Sequence, residues 1–127
     1  MAAESRRGSP RLETVLSEEG WRFDFFQAIR LLQLMAPDSP ALGVGDDPAA
    51  EPVRLSSRVS MSFPPSDVHE IRLPEQSGGP AGVVVNFMGL ASPTSYGSLP
   101  MPYSELILSQ VRNKNTVLTE FFDLFNH

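Results

Sequence analysis

At 127 residues the chain is long enough for one domain with a modest core. It has no cysteine, which excludes a disulfide, a thiolate nucleophile and a cysteine metal site, and it fits a cytoplasmic protein. The net charge of −5, with Lys114 as the single lysine, argues against nucleic acid as the main partner, because phosphate contacts need clustered cations.

The N-terminus, MAAESRRGSPRLE, lacks the apolar segment of a signal peptide, and no apolar run approaches membrane-spanning length. Residues 1–8 are polar and predict a disordered tail, ahead of a single α+β domain over 9–127. Arg6, Arg7 and Arg11 form a small basic cluster that reads as a solvated tail rather than an anion site. Ser9 and Pro10 suit a helix start, Leu12, Val15 and Leu16 share a face, and Gly20 suits the helix end.

The stretch WRFDFFQAIRLLQLM predicts a second helix, capped by Asp24 with Gln27 three residues on. Phe25, Ile29 and Leu32 line one face, with Phe26, Leu31 and Met35 widening it, and Trp21 and Phe23 staple its start. Pro37 and Pro40 stop it. The loop that follows carries Gly43, Gly45, Asp46 and Asp47. It lacks both the third glycine and Lys-Ser/Thr of a phosphate loop and the alternating acids of a calcium loop.

Period-two alternation predicts a half-buried strand over Val53–Phe63, with Val53, Leu55, Val59, Met61 and Phe63 inward. A shorter strand, Val68–Leu73, is placed to pair with it as a hairpin. A third, Val83–Met88, is apolar on both faces apart from Asn86 and is predicted to be central, with Asn86 structurally hydrogen-bonded. The chain then passes through Gly89, Pro93, Gly97 and Pro100 into a helix over Pro102–Arg112, with Leu106, Ile107, Gln110 and Val111 inward. Asn115 suits the cap of a last helix, TVLTEFFDLFNH. The fold class is therefore α+β: N-terminal helices, a small mainly antiparallel sheet, and two C-terminal helices.

The last helix packs Val117, Leu118, Phe121, Phe122, Leu124 and Phe125 into nine residues, and they span more than one helical face. One apolar side is predicted to pack on the preceding helix through Leu106 and Ile107, leaving the other as an interaction surface.

Five segments in order carry a family resemblance. They are WRFDFFQAIRLL, GVGDDPAAEPVRLSSRVSMSFPPSDV, VNFMGL, GSLPMPYSELIL and LTEFFDLFNH. Together, from about Trp21 to His127, they resemble the N-terminal part of the TssG family (also called ImpH or VasB) of bacterial type VI secretion. The family usually continues past the FNH sequence into a large C-terminal portion, so the resemblance implies a truncated or split version. The family's loop after the third strand resembles G-L-T-G-P-x-G-x-L-P, whereas this chain has Ala91-Ser92-Pro93 and two extra residues before Gly97. The resemblance implies a structural component of the baseplate wedge, without catalysis or cofactor. It also implies TssF, TssK, TssE and the VgrG spike as partners, and a cytoplasmic place at the inner membrane.

Two other readings remain open from the residues. A free-standing, non-enzymatic adaptor would have the same sequence features. A small hydrolase or metal enzyme would use His69 or His127 with Asp67, Glu70 or Asp123, and requires those groups to converge. His69 reads more simply as an exposed strand residue.

Overall fold

The computed structural model describes residues 10–74, 78–86 and 99–127. The polar tail 1–8, the Ser9 cap, the end of the third predicted strand at Phe87–Met88 and the loop from Gly89 to Gly97 lie outside the described residues, as do the side chains of the basic cluster. Among the described residues four α-helices and three strands follow one another as α1 (Pro10–Glu18), α2 (Phe25–Met35), β1 (Val53–Ser57), β2 (Val68–Arg72), β3 (Ala81–Val85), α3 (Met101–Arg112) and α4 (Val117–Asn126). The class is α+β: N-terminal helices, a three-stranded mixed sheet and two C-terminal helices.

Gly20 does follow α1, but as part of a 3-10 turn over Gly20–Arg22. Its role is close approach. A Cβ there would lie 3.0 Å from both Cγ1 and the backbone N of Ile71. Only glycine lets this turn sit directly on β2. Asp24 caps α2 as the sequence predicts, its Oδ1 accepting from the N–H groups of Phe26 at 3.0 Å and Gln27 at 3.3 Å. Phe25, Ala28, Ile29 and Leu32 turn into the core. Phe26 does not widen that stripe. It is 78% exposed and meets Phe25 edge to face.

The sheet order is β1-β3-β2. β3 is central, as its apolar run predicts, pairing parallel with β1 (Val53↔Ala81 through Ser57↔Val85) and antiparallel with β2. The predicted hairpin between β1 and β2 is therefore replaced by one between β2 and β3, and the sheet is mixed. β2 lies in the chain between β1 and β3 and so belongs to the crossover connection that a parallel pair requires.

β1 is also shorter than its alternation. Arg58 N–H still donates to Val85 O at 2.9 Å, the last bond between the two strands among the described residues. The serines then bond locally, Ser62 N–H donating to Ser60 Oγ at 3.1 Å, an arrangement that competes with strand pairing. Phe63 ends up exposed and Val59 and Met61 only half-buried.

The core is one cluster in which Leu16 of α1 and the buried face of α2 pack on Val53, Leu55, Val68, Ile71, Ala81, Val83 and Val85. Burying these branched side chains contributes roughly 1.5–3 kcal/mol each. Asn86 closes β3: its N–H donates to Asp67 O at 2.9 Å and its Nδ2 to Ser66 O at 2.8 Å, so this buried amide is structural, as expected.

Candidate interaction surface

α3 and α4 are joined by a tight turn. Lys114 N–H donates to Val111 O at 2.9 Å and Asn115 N–H to Gln110 O at 2.9 Å, the two bonds of a Schellman motif. Lys114 holds the left-handed position usually given to glycine, at φ 59°. The cap position of α4 falls on Thr116, one residue after the Asn115 expected from the sequence, and its hydroxyl bonds Glu120, while Asn115 Oδ1 still accepts from Val117 N–H at 3.2 Å.

Helical spacing divides α4 into two opposed faces. Val117, Phe121, Leu124 and Phe125 recur at intervals of four, three and one, and Thr119, Asp123, Asn126 and His127 repeat that pattern two residues later, about 200° around the helix. The polar set faces inward. Asp123 Oδ1 accepts from Ser57 N–H at 2.9 Å, and His127 Nδ1 from Leu55 N–H at 3.3 Å. These are the outward-facing amides of β1, an edge strand whose other side pairs with β3. Four helical residues rise about 6.0 Å, and two strand residues about 6.6 Å. An i, i+4 pair on a helix can therefore serve an i, i+2 pair of strand amides. His127 Nε2 lies 3.0 Å from Glu51 Oε2, and Glu51 Oε1 accepts from Gly43 N–H at 2.8 Å. The glycine-rich loop, the edge strand and α4 are thus one hydrogen-bonded unit.

The apolar set faces outward: Val117 is 71% exposed, Phe121 51%, Leu124 75% and Phe125 61%. Leu118 and Phe122, between the two faces, are half-buried. The Phe121 ring meets Phe122 at 5.7 Å and Phe125 at 5.4 Å, both edge to face. In α3, Ile107 and Ser104 are the buried positions, whereas Leu106 and Val111, expected inward, are open. Leu106 instead joins Gln110, Asn115, Val117, Leu118 and Phe121 around a shallow groove of about 300 Å³ between the helices.

The groups of the hydrolase reading do not form a reactive centre. His127 and Asp123 do come together, but both imidazole nitrogens are committed, to Leu55 N–H and to Glu51, and Asp123 serves Ser57 and Asn126. A general base needs a nitrogen free to reach substrate. His69 is not on a plain exposed face. It is the extra residue of a bulge between Val68 and Glu70, and is half-buried. Burial holds its pKa below the ordinary histidine value, with Arg58 and Arg72 adding to this and Glu70 opposing it. Glu70 itself pairs with Arg72, and Asp67 is exposed. Among the described residues no group of three or more His, Asp or Glu is arranged to hold a metal ion. Sequence reasoning missed Glu51. It carries no motif of its own, and only the fold brings it to His127 across 76 positions.

Among the described residues no helix is long and apolar enough to cross a membrane. Comparison with curated proteins and with solved structures finds no match. The family model described as type VI secretion, TssG matches residues 19–127, which takes in α2, all three strands and the α3–α4 pair and leaves out α1. The chain belongs to the TssG family of type VI secretion proteins.

Proposed function

We propose that this chain is a structural, non-catalytic component of the type VI secretion baseplate wedge, and that it joins a TssF-like subunit through the outward face of α4. The observation that carries this is the inversion of α4: its Asp123 carboxylate and His127 imidazole bind the sheet edge, while Val117, Phe121, Leu124 and Phe125 face outward. A large apolar patch of this kind on a folded domain marks an interaction site, since exposed aromatic surface favours association. Family membership supports the type VI secretion setting. TssK, TssE and the VgrG spike are further neighbours under the same reading, with the chain on the cytoplasmic side of the inner membrane.

The test is co-purification with the TssF-like subunit encoded in the same secretion system. Leu124→Asp or Phe125→Asp should abolish capture while the circular dichroism spectrum and melting transition stay those of the parent chain. Capture that survives both substitutions places the interface elsewhere. A chain that folds as a monomer and never binds the TssF-like subunit favours the free-standing adaptor.

A further inference from the structure

We infer that α4 is a releasable latch on the edge of β1, opening as a unit about the 113–115 turn while the α1–α2–sheet core stays folded. Four observations converge on it. The first is how α4 is held. Its inward contacts include side-chain acceptors for two strand amides, Leu55 N–H on His127 Nδ1 and Ser57 N–H on Asp123 Oδ1, together with the His127–Glu51 contact. None of the core cluster's members belongs to α4. Hydrogen bonds exchange for water with a small net loss, whereas apolar burial does not, so an element seated this way opens more readily than one seated in the core.

The second is what the seat leaves unmet. Thr119 Oγ1 and Asn126 Oδ1 are buried on that same face with no hydrogen-bond partner. Each such atom loses its water on closing and regains it on opening. The third is the hinge. Lys114 sits at φ 59°, a backbone conformation that disfavours a residue with a Cβ, and that strain is relieved if the turn unwinds. The fourth is the outer face. Val117, Leu124 and Phe125 are largely in water in the closed state, so opening uncovers little further apolar surface there. What it frees is a pair of amide donors at strand spacing on the β1 edge.

The latch is a property of the isolated chain and stands whether or not the assembly role above holds. If that role does hold, the strength of the latch sets how freely α4 can turn toward a neighbouring subunit.

Amide hydrogen exchange of the whole chain, followed by NMR, tests it. Leu55 and Ser57 amides should exchange together with those of α4, on the order of a hundredfold faster than the β3 amides of Val83 to Val85. Asp123→Ala should speed Leu55, Ser57 and α4 roughly a further tenfold and leave β3 unchanged. Asp123→Asn, which keeps an acceptor oxygen, should restore most of the protection, and Leu124→Ala on the outer face should alter none of these rates. Exchange of Leu55 and Ser57 at the β3 rate in the parent chain would overturn the proposal, since α4 would then leave only with global unfolding. Acceleration of β3 by Asp123→Ala to the same degree, or loss of the fold in that variant, would overturn it too.

Discussion

At the scale of single residues, three positions carry constraints that can be weighed separately. Lys114 holds a left-handed conformation in the Schellman turn, where glycine bears no Cβ penalty. Lys114→Gly should raise stability by about 1 kcal/mol, read as a shift of the denaturant midpoint at constant slope. Gly20 is the converse case. A methyl group there meets the Ile71 backbone N, which cannot swing aside as a side-chain tip would. Gly20→Ala should cost roughly 1–3 kcal/mol in the same measurement.

His69 makes stability depend on pH. Its pKa is lowered in the folded chain, so between that value and 6.5 the unfolded chain binds more protons. The stabilising share of His69 is thus fully present above pH 6.5 and is lost as pH falls through the lowered value. His69→Gln should flatten this part of a stability-against-pH curve and change stability near pH 8 by no more than about 0.5 kcal/mol. A parent curve with no slope just below pH 6.5 would refute the assignment.

At the scale of elements, α4 shows why amphipathic pattern and orientation are separate matters. The pattern is plain from Val117, Phe121, Leu124 and Phe125, and ordinary reasoning turns such a stripe inward. Here the edge of β1 presents unpaired amides, and Asp123 and His127 satisfy them at matching spacing. The helix consequently exposes its apolar residues. Half-buried Phe122 should therefore behave differently from Leu124. Phe122→Asp should lower the melting temperature of the free chain by several degrees, whereas Leu124→Asp should leave it within about 2 °C. Equal destabilisation by the two would mean that α4 packs with Leu124 against the domain. β1 teaches a related lesson. Its alternation runs to Phe63, but the strand ends at Ser57 and the serines beyond it bond locally, a competition that alternation does not record.

At the scale of the whole molecule, the helices and sheet sort into a core and an appended hairpin. α1 and α2 cover one sheet face, and the β1 edge is where α4 docks. No reactive cluster arises from this packing among the described residues. The histidines lie apart in role, one in a bulge on β2 and one bonded to a strand edge and to Glu51. Among the described residues, His127, Asp123 and Glu51 tie the last helix, the strand edge and the glycine-bearing loop together.

The local features can be read from the chain, because they depend on neighbours a few residues away. The Asp24 cap, the buried face of α2, the hydrogen-bonded Asn86 and, from its unbroken apolar run, the central place of β3 were all legible in it. So were the five ordered segments that mark the family. It took the fold to set β1 parallel to β3 instead of in a hairpin with β2, to make Gly20 a requirement of Ile71, and to face the acid and imidazole of α4 toward the sheet. The reason is that each depends on a pairing between distant parts of the chain. A hydrophobic pattern records which residues prefer burial, but an edge amide left unpaired by the sheet appears only once the strand order is set, and that unpaired edge is what turned the last helix around.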